Sequence, residues 1–120
     1  MTMPKFNLLY SVEAANTYQR LQASAYAIYL KRTKEGIKNK LSHQEGLFKQ
    51  LVKCLQLLEE NPKHMGLHTH KYSSIQNPLD PSKPIFEAYV QNKTPGAYRV
   101  FWYYGPKKDT ITILAITPHP

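Results

Sequence analysis

A single cysteine in 120 residues leaves no partner for an internal disulfide, and one thiol cannot assemble a thiolate metal centre. Cys54 stands among Val52, Leu55 and Leu58, apolar neighbours that raise a thiol's pKa and suit a core residue rather than a nucleophile. Acidic residues are scarce too: eight Asp and Glu face sixteen Lys and Arg, a net charge of +8. Such an excess favours an anionic partner, whether nucleic acid, an acidic protein or an anionic membrane surface. No run of 18 or more apolar residues is present, which excludes a helical membrane span. Residues 1–10 lack the basic, apolar and small-residue blocks of a secretory signal, so the expected location is the cytoplasm. A surface-lying membrane helix has no support either, because Tyr18, Gln19, Arg20 and Gln22 give the first helix no large one-sided apolar load. Without repeats or low-complexity tracts, residues 1–120 read as one domain.

The order of elements follows from periodicity. Phe6, Leu8 and Tyr10 alternate with Lys5, Asn7 and Leu9, the pattern of a half-buried strand. Ser11 can cap a helix, Glu13 suits its first turn, and Ala14, Tyr18, Leu21, Ala25 and Ile28 recur at helical steps; the helix is expected to end between Tyr29 and Gly36. Lys31, Arg32, Lys34, Lys38 and Lys40 then crowd the connection. Such a run is either a solvated face or an electrostatic handle on a polyanion. Ser42-His43-Gln44-Glu45 matches a capping box and starts a second helix. Leu47, Phe48, Leu51, Val52, Leu55 and Leu58 form its apolar stripe, and Asn61-Pro62 ends it. From Lys63 to Pro84 no period is sustained, so a long loop is expected. Three strands follow, Phe86 to Gln91, Tyr98 to Tyr104 and Thr110 to Thr117, joined by turn residues near Gly96 and Gly105. The expected fold is α+β in the order β-α-α-β-β-β, with two helices on one face of a small, mostly antiparallel four-stranded sheet.

Alternation assigns the faces. Phe86, Ala88, Val90, Val100 and Trp102 share one, suited to the helices, with roughly 2 kcal/mol of gross transfer free energy for each large side chain buried. Ile111, Ile113 and Ala115 oppose Thr112, Leu114 and Ile116 along the last strand. Glu87, Tyr89, Arg99, Phe101 and Tyr103 share the face left uncovered. Rings mixed with a guanidinium suit single-stranded nucleic acid, through base stacking and bidentate phosphate contact. The same pattern also fits plain cross-strand packing, with Arg99 paired to Glu87. Tyr89, Phe101 and Tyr103 are thus candidate RNA contacts, joined by Lys53 on the water-facing side of helix two. His64, His68 and His70 invite a metal reading by spacing, but no cysteine lies nearby and no fourth ligand is evident. No metal or other cofactor is expected.

Several segments together resemble the RelE/ParE superfamily of bacterial toxins: Leu57-Leu58-Glu59-Glu60-Asn61-Pro62, Gly66-Leu67-His68-Thr69-His70-Lys71-Tyr72, Phe86-Glu87-Ala88-Tyr89-Val90, Tyr98-Arg99-Val100-Phe101 and Ile113-Leu114-Ala115-Ile116-Thr117-Pro118-His119. The resemblance implies the same element order. It also implies a toxin held inactive by a cognate antitoxin, of the kind that enters the ribosome and cuts mRNA without metal, or, in another branch, poisons DNA gyrase. A third option is a relative that binds RNA or protein without cutting. In the ribonuclease branch a strand-borne Arg and a near-terminal His recur, here Arg99 and His119. Cleavage by a neighbouring 2′-hydroxyl needs proton transfer and a cation beside the crowded phosphorane. Arg99 fits the cation and His119 a proton-transfer group, and Lys71 or His70 could add charge or the second proton step. Three positions depart from the resemblance: Pro120 replaces a frequent tyrosine, Ile116 or Thr117 stands for an extra Arg, and His64 and Met65 occupy the place of an acidic base.

Overall fold

The computed structural model describes residues 5–38, 40–92 and 94–119. The expectation at Pro120, and the part of the Asn92–Gly96 turn carried by Lys93, lie outside the described residues. The chain runs β1 (Asn7–Tyr10), α1 (Val12–Lys34), α2 (His43–Glu60), a 3₁₀ turn (Met65–Leu67), β2 (His70–Lys71), β3 (Phe86–Tyr89), β4 (Tyr98–Tyr104) and β5 (Thr110–Pro118).

Both helices start as their sequences specify. Ser11 Oγ accepts from the Ala14 amide at 3.0 Å and donates to the Leu114 carbonyl at 2.7 Å, so one hydroxyl caps α1 and ties it to the sheet. Ser42 and Glu45 form the full capping box of α2. The basic run has a structural use at Arg32, whose Nε and Nη2 hold the two Glu45 oxygens at 2.6 and 2.9 Å. That fork joins the end of α1 to the start of α2 and holds the Glu45 carboxyl down at about 2.

The sheet has five strands in the order β1-β5-β4-β3-β2, with β1 parallel to β5 and the other pairs antiparallel. The fifth strand departs from the four expected. His70 and Lys71 lie within the stretch read as loop, yet pair with Glu87 and Phe86 of β3. Two residues are too few to show a period.

The helices cover the expected face. Leu47, Leu51, Leu55 and Leu58 of α2 and Ala14 of α1 meet Ala88, Val90, Val100 and Trp102, and burial pushes the Cys54 thiol up to about 12. Phe86 stacks on Trp102 with centroids 4.9 Å apart. In β5 the expected alternation fails. A register shift opposite Phe101/Trp102 sets Phe101 against Ala115 and Trp102 against Ile113, leaving Leu114 as an extra residue. Ile116 therefore joins Ile111 and Ile113 in the main core, while Leu114 and Ala115 turn to the other face.

That other face is not left uncovered. The segment from Tyr72 to Ile85 folds over half of it: Tyr72 meets Phe101 edge-on at 4.8 Å, and Ile85, Phe101, Tyr103 and Leu114 form a second, smaller core. Asn77 holds the segment's bend by accepting from the Leu79 and Asp80 amides.

Candidate active site

The uncovered half of that face carries the polar side chains. Arg99, in β4, is paired with Tyr89 of β3 on one side and Thr117 of β5 on the other. Directly paired residues share a face, and His119, two beyond Thr117, continues it; the His119 amide donates to the Ala97 carbonyl at 2.8 Å, extending the pairing past the strand end. The bulge at Leu114 makes this possible. With unbroken alternation from Ile113, residue 119 would fall on the helix side.

Arg99 is only 7% exposed. Its guanidinium lies 3.6 Å from the Tyr89 ring centroid, and Nη1 donates to the carbonyls of Gln91 and Tyr98 at 2.6 and 3.1 Å. Nε is buried and finds no partner among the described residues. An unpaired buried donor costs about 1–3 kcal/mol, and more when charged.

Glu87 sits two residues before Tyr89 on β3 and is 2% exposed. Its partner is not Arg99. Oε1 lies 2.6 Å from His70 Nε2 and Oε2 lies 3.0 Å from His119 Nδ1, with both imidazoles 48% exposed. His70 Nδ1 is also engaged, 2.9 Å from the His68 carbonyl. Among the described residues His119 Nε2 makes no such bond, so of these two rings only His119 offers a free nitrogen to an incoming molecule. His68 adopts a left-handed backbone (φ 51°), and its ring lies 5.0 Å from Tyr89.

The candidates from sequence divide accordingly. Arg99, His119, His70 and Tyr89 come together on one face. Lys53 lies at its margin, lining with Tyr89, Gln50, Leu57 and His64 an open groove of about 510 Å³. Phe101 and Tyr103 do not join them. Both are buried in the small core beneath Tyr72 and Ile85, which corrects the expectation of an exposed stacking platform. Lys71 is paired with Phe86, so alternation sends it to the helix side of the sheet edge, away from Arg99.

The three loop histidines diverge, His64 accepting from the Gly66 amide, His68 lying on Tyr89 and His70 on Glu87. Among the described residues no group of three or more His, Cys, Asp or Glu is arranged to hold a metal ion. Glu87 is the residue that sequence reasoning placed on the right face with the wrong partner. One signal was present: a single carboxylate inside Phe86-Glu87-Ala88-Tyr89-Val90 must find donors once the strand is buried.

No family model matches the chain, and no curated protein matches it significantly. Solved structures do. A YoeB dimer from Staphylococcus aureus aligns with TM-score 0.59 and 13% identity over 97% of this chain and 99% of that one. The archaeal RelE-RelB complex from Pyrococcus horikoshii OT3 gives 0.54 and 14% over 95% and 94%, and the YoeB/ParE toxin from Agrobacterium tumefaciens gives 0.58 and 5% over 95% and 99%. At these identities the likeness establishes a shared fold, and it does so along nearly the whole chain.

Proposed function

We propose that the chain is the toxin of a toxin-antitoxin pair and acts as a metal-independent endoribonuclease on ribosome-bound mRNA. The observation that carries this reading is a cation seated on an aromatic ring, Arg99 over Tyr89, on the same sheet face as an imidazole, His119, whose Nε2 has no partner among the described residues. The fold shared with structures described as YoeB, RelE-RelB and YoeB/ParE supports it, as does the +8 charge.

In this reading the 2′-oxygen attacks the adjacent phosphorus, its proton passes to His119 Nε2, and the P–O5′ bond breaks. Water returns a proton to the departing oxygen, leaving a 2′,3′-cyclic phosphate and a 5′-hydroxyl. Arg99, held against the Tyr89 ring and the Gln91 and Tyr98 carbonyls, offsets charge that builds on the phosphorane. Lys53, with the cations around it, contributes sequence-independent attraction to the backbone. A neutralising antitoxin with an acidic surface is the expected protein partner, since a free chain of this charge attracts anions indiscriminately.

The test is cleavage of a defined message on purified translating ribosomes, read from the 5′ ends of the fragments. Arg99→Ala and His119→Ala should each slow cleavage at least tenfold, an acid-base group typically contributing 10²- to 10⁴-fold. Unchanged rates in both would remove the mechanism. Stalled DNA supercoiling with intact message would instead support a gyrase-directed toxin.

A further inference from the structure

Glu87 is nearly inaccessible to solvent, yet the described residues place no Lys or Arg against it. Its carboxylate is held by two imidazoles, one on each oxygen. Counting protons across this cluster decides the state of His119.

The His68 carbonyl can only accept, so His70 Nδ1, 2.9 Å away, bears hydrogen. His70 Nε2 and Glu87 Oε1 are 2.6 Å apart, and one proton must lie between them. Whether it belongs to the ring or to the carboxyl, Oε2 remains an acceptor. His119 Nδ1, 3.0 Å from Oε2, must then be the donor, which in the neutral imidazole leaves Nε2 bare. The opposite distribution puts a proton on Oε2 and lets His119 Nδ1 accept. It would place a neutral carboxyl beside a charged His70, sacrificing the charge-assisted bond where the contact is shortest.

We propose that Glu87 and His70 are positioning residues that fix His119 as its Nδ1–H tautomer, leaving Nε2 ready to take a proton. His70, engaged at both nitrogens, braces the carboxylate and has no nitrogen left for substrate. The consequence for cleavage rests on the ribonuclease reading above; the tautomer does not.

The deciding measurement is a long-range ¹H–¹⁵N correlation spectrum of the imidazoles in the intact labelled protein at neutral pH. Free histidine favours hydrogen on Nε2, so a fixed Nδ1–H form at His119 is a distinctive signature. Glu87→Gln replaces one acceptor oxygen with a donor, and should return His119 to a mixed or Nε2–H form while lowering kcat roughly 10²-fold at little change in KM. His70→Asn, on the exposed edge strand, is the second variant should Glu87→Gln fail to fold; it should loosen the His119 tautomer and lower kcat in the same sense. A wild-type His119 carrying hydrogen on Nε2 overturns the proposal, as does Glu87→Gln leaving both tautomer and rate unchanged. Robust cleavage with the wrong tautomer sinks this inference alone. The expected tautomer in a protein that cuts no RNA sinks the ribonuclease reading alone.

Discussion

The two faces of the sheet are built from the same alternating strands but solve burial differently. On one, α1 and α2 lay continuous apolar stripes over Ala88, Val90, Val100, Trp102, Ile111, Ile113 and Ile116. On the other, half the surface is closed by the irregular segment from Tyr72 to Ile85, and the remainder holds Arg99, Glu87, His70 and His119 in mutual or ring contact. Alternation tells which side chains share a face and says nothing about what covers it. Phe101 and Arg99 are two residues apart on one strand face, yet one is core and the other is the candidate site's cation.

The contrast is sharpest in stability. Leu58 is fully buried under the main core, and Leu58→Ala should cost about 2–5 kcal/mol, measured by urea unfolding. On the loop-covered half, Tyr72→Ala removes one edge-on ring contact at a partly open site and should cost roughly 1–2 kcal/mol. If the two losses were equal, the loop-side cluster would be as integral as the helix-side core and the distinction would collapse. On the polar half, Tyr89→Ala takes the ring from beneath the Arg99 guanidinium. The cation–π contact accounts for about 0.5–2 kcal/mol of the stability lost there, beside the ring's contacts with His68 and His70, whereas RNA cleavage should fall much further than unfolding explains, because Arg99 loses its support. A parallel fall of cleavage and stability would mean that Tyr89 serves packing alone.

The main core was legible because each element supplied its own period: steps of three and four in Leu47, Leu51, Leu55 and Leu58, steps of two in β3 and β4. The β5 bulge was not. Ile113-Leu114-Ala115-Ile116 is apolar throughout, so an inserted residue leaves the pattern unchanged while reversing the facing of everything after it, His119 included. Strand β2 was too short to read, and without it Lys71 and His70 could not be sent to opposite sides. Arg99 and His119 were found from residue chemistry and resemblance. The partners of Glu87 come from 32 positions away in one case and from the unread strand in the other, a geometry that one-dimensional pattern does not encode.

The smallest effect belongs to the junction of the two helices, which lies apart from both faces' cores. Arg32 lowers the Glu45 carboxyl from 4.5 to about 2, chiefly through its hydrogen bonds, aided by Ser42. A folded-state value below the unfolded one means stabilisation that is complete above the unfolded value and disappears as pH falls through the folded one. The denaturation midpoint should therefore carry a Glu45 contribution that is constant from neutrality down to about pH 4.5 and fades toward about pH 2. Glu45→Gln removes the titrating group while keeping an oxygen for the Ser42 amide, so the gap between parent and variant should be widest near neutrality and close in acid. A gap that stayed constant down to pH 2 would mean the Arg32 fork contributes geometry without charge. Because the pair joins the end of α1 to the start of α2, the variant should leave the tautomer of His119 and any cleavage at neutral pH unaltered, which separates this junction from the site on the far side of the sheet.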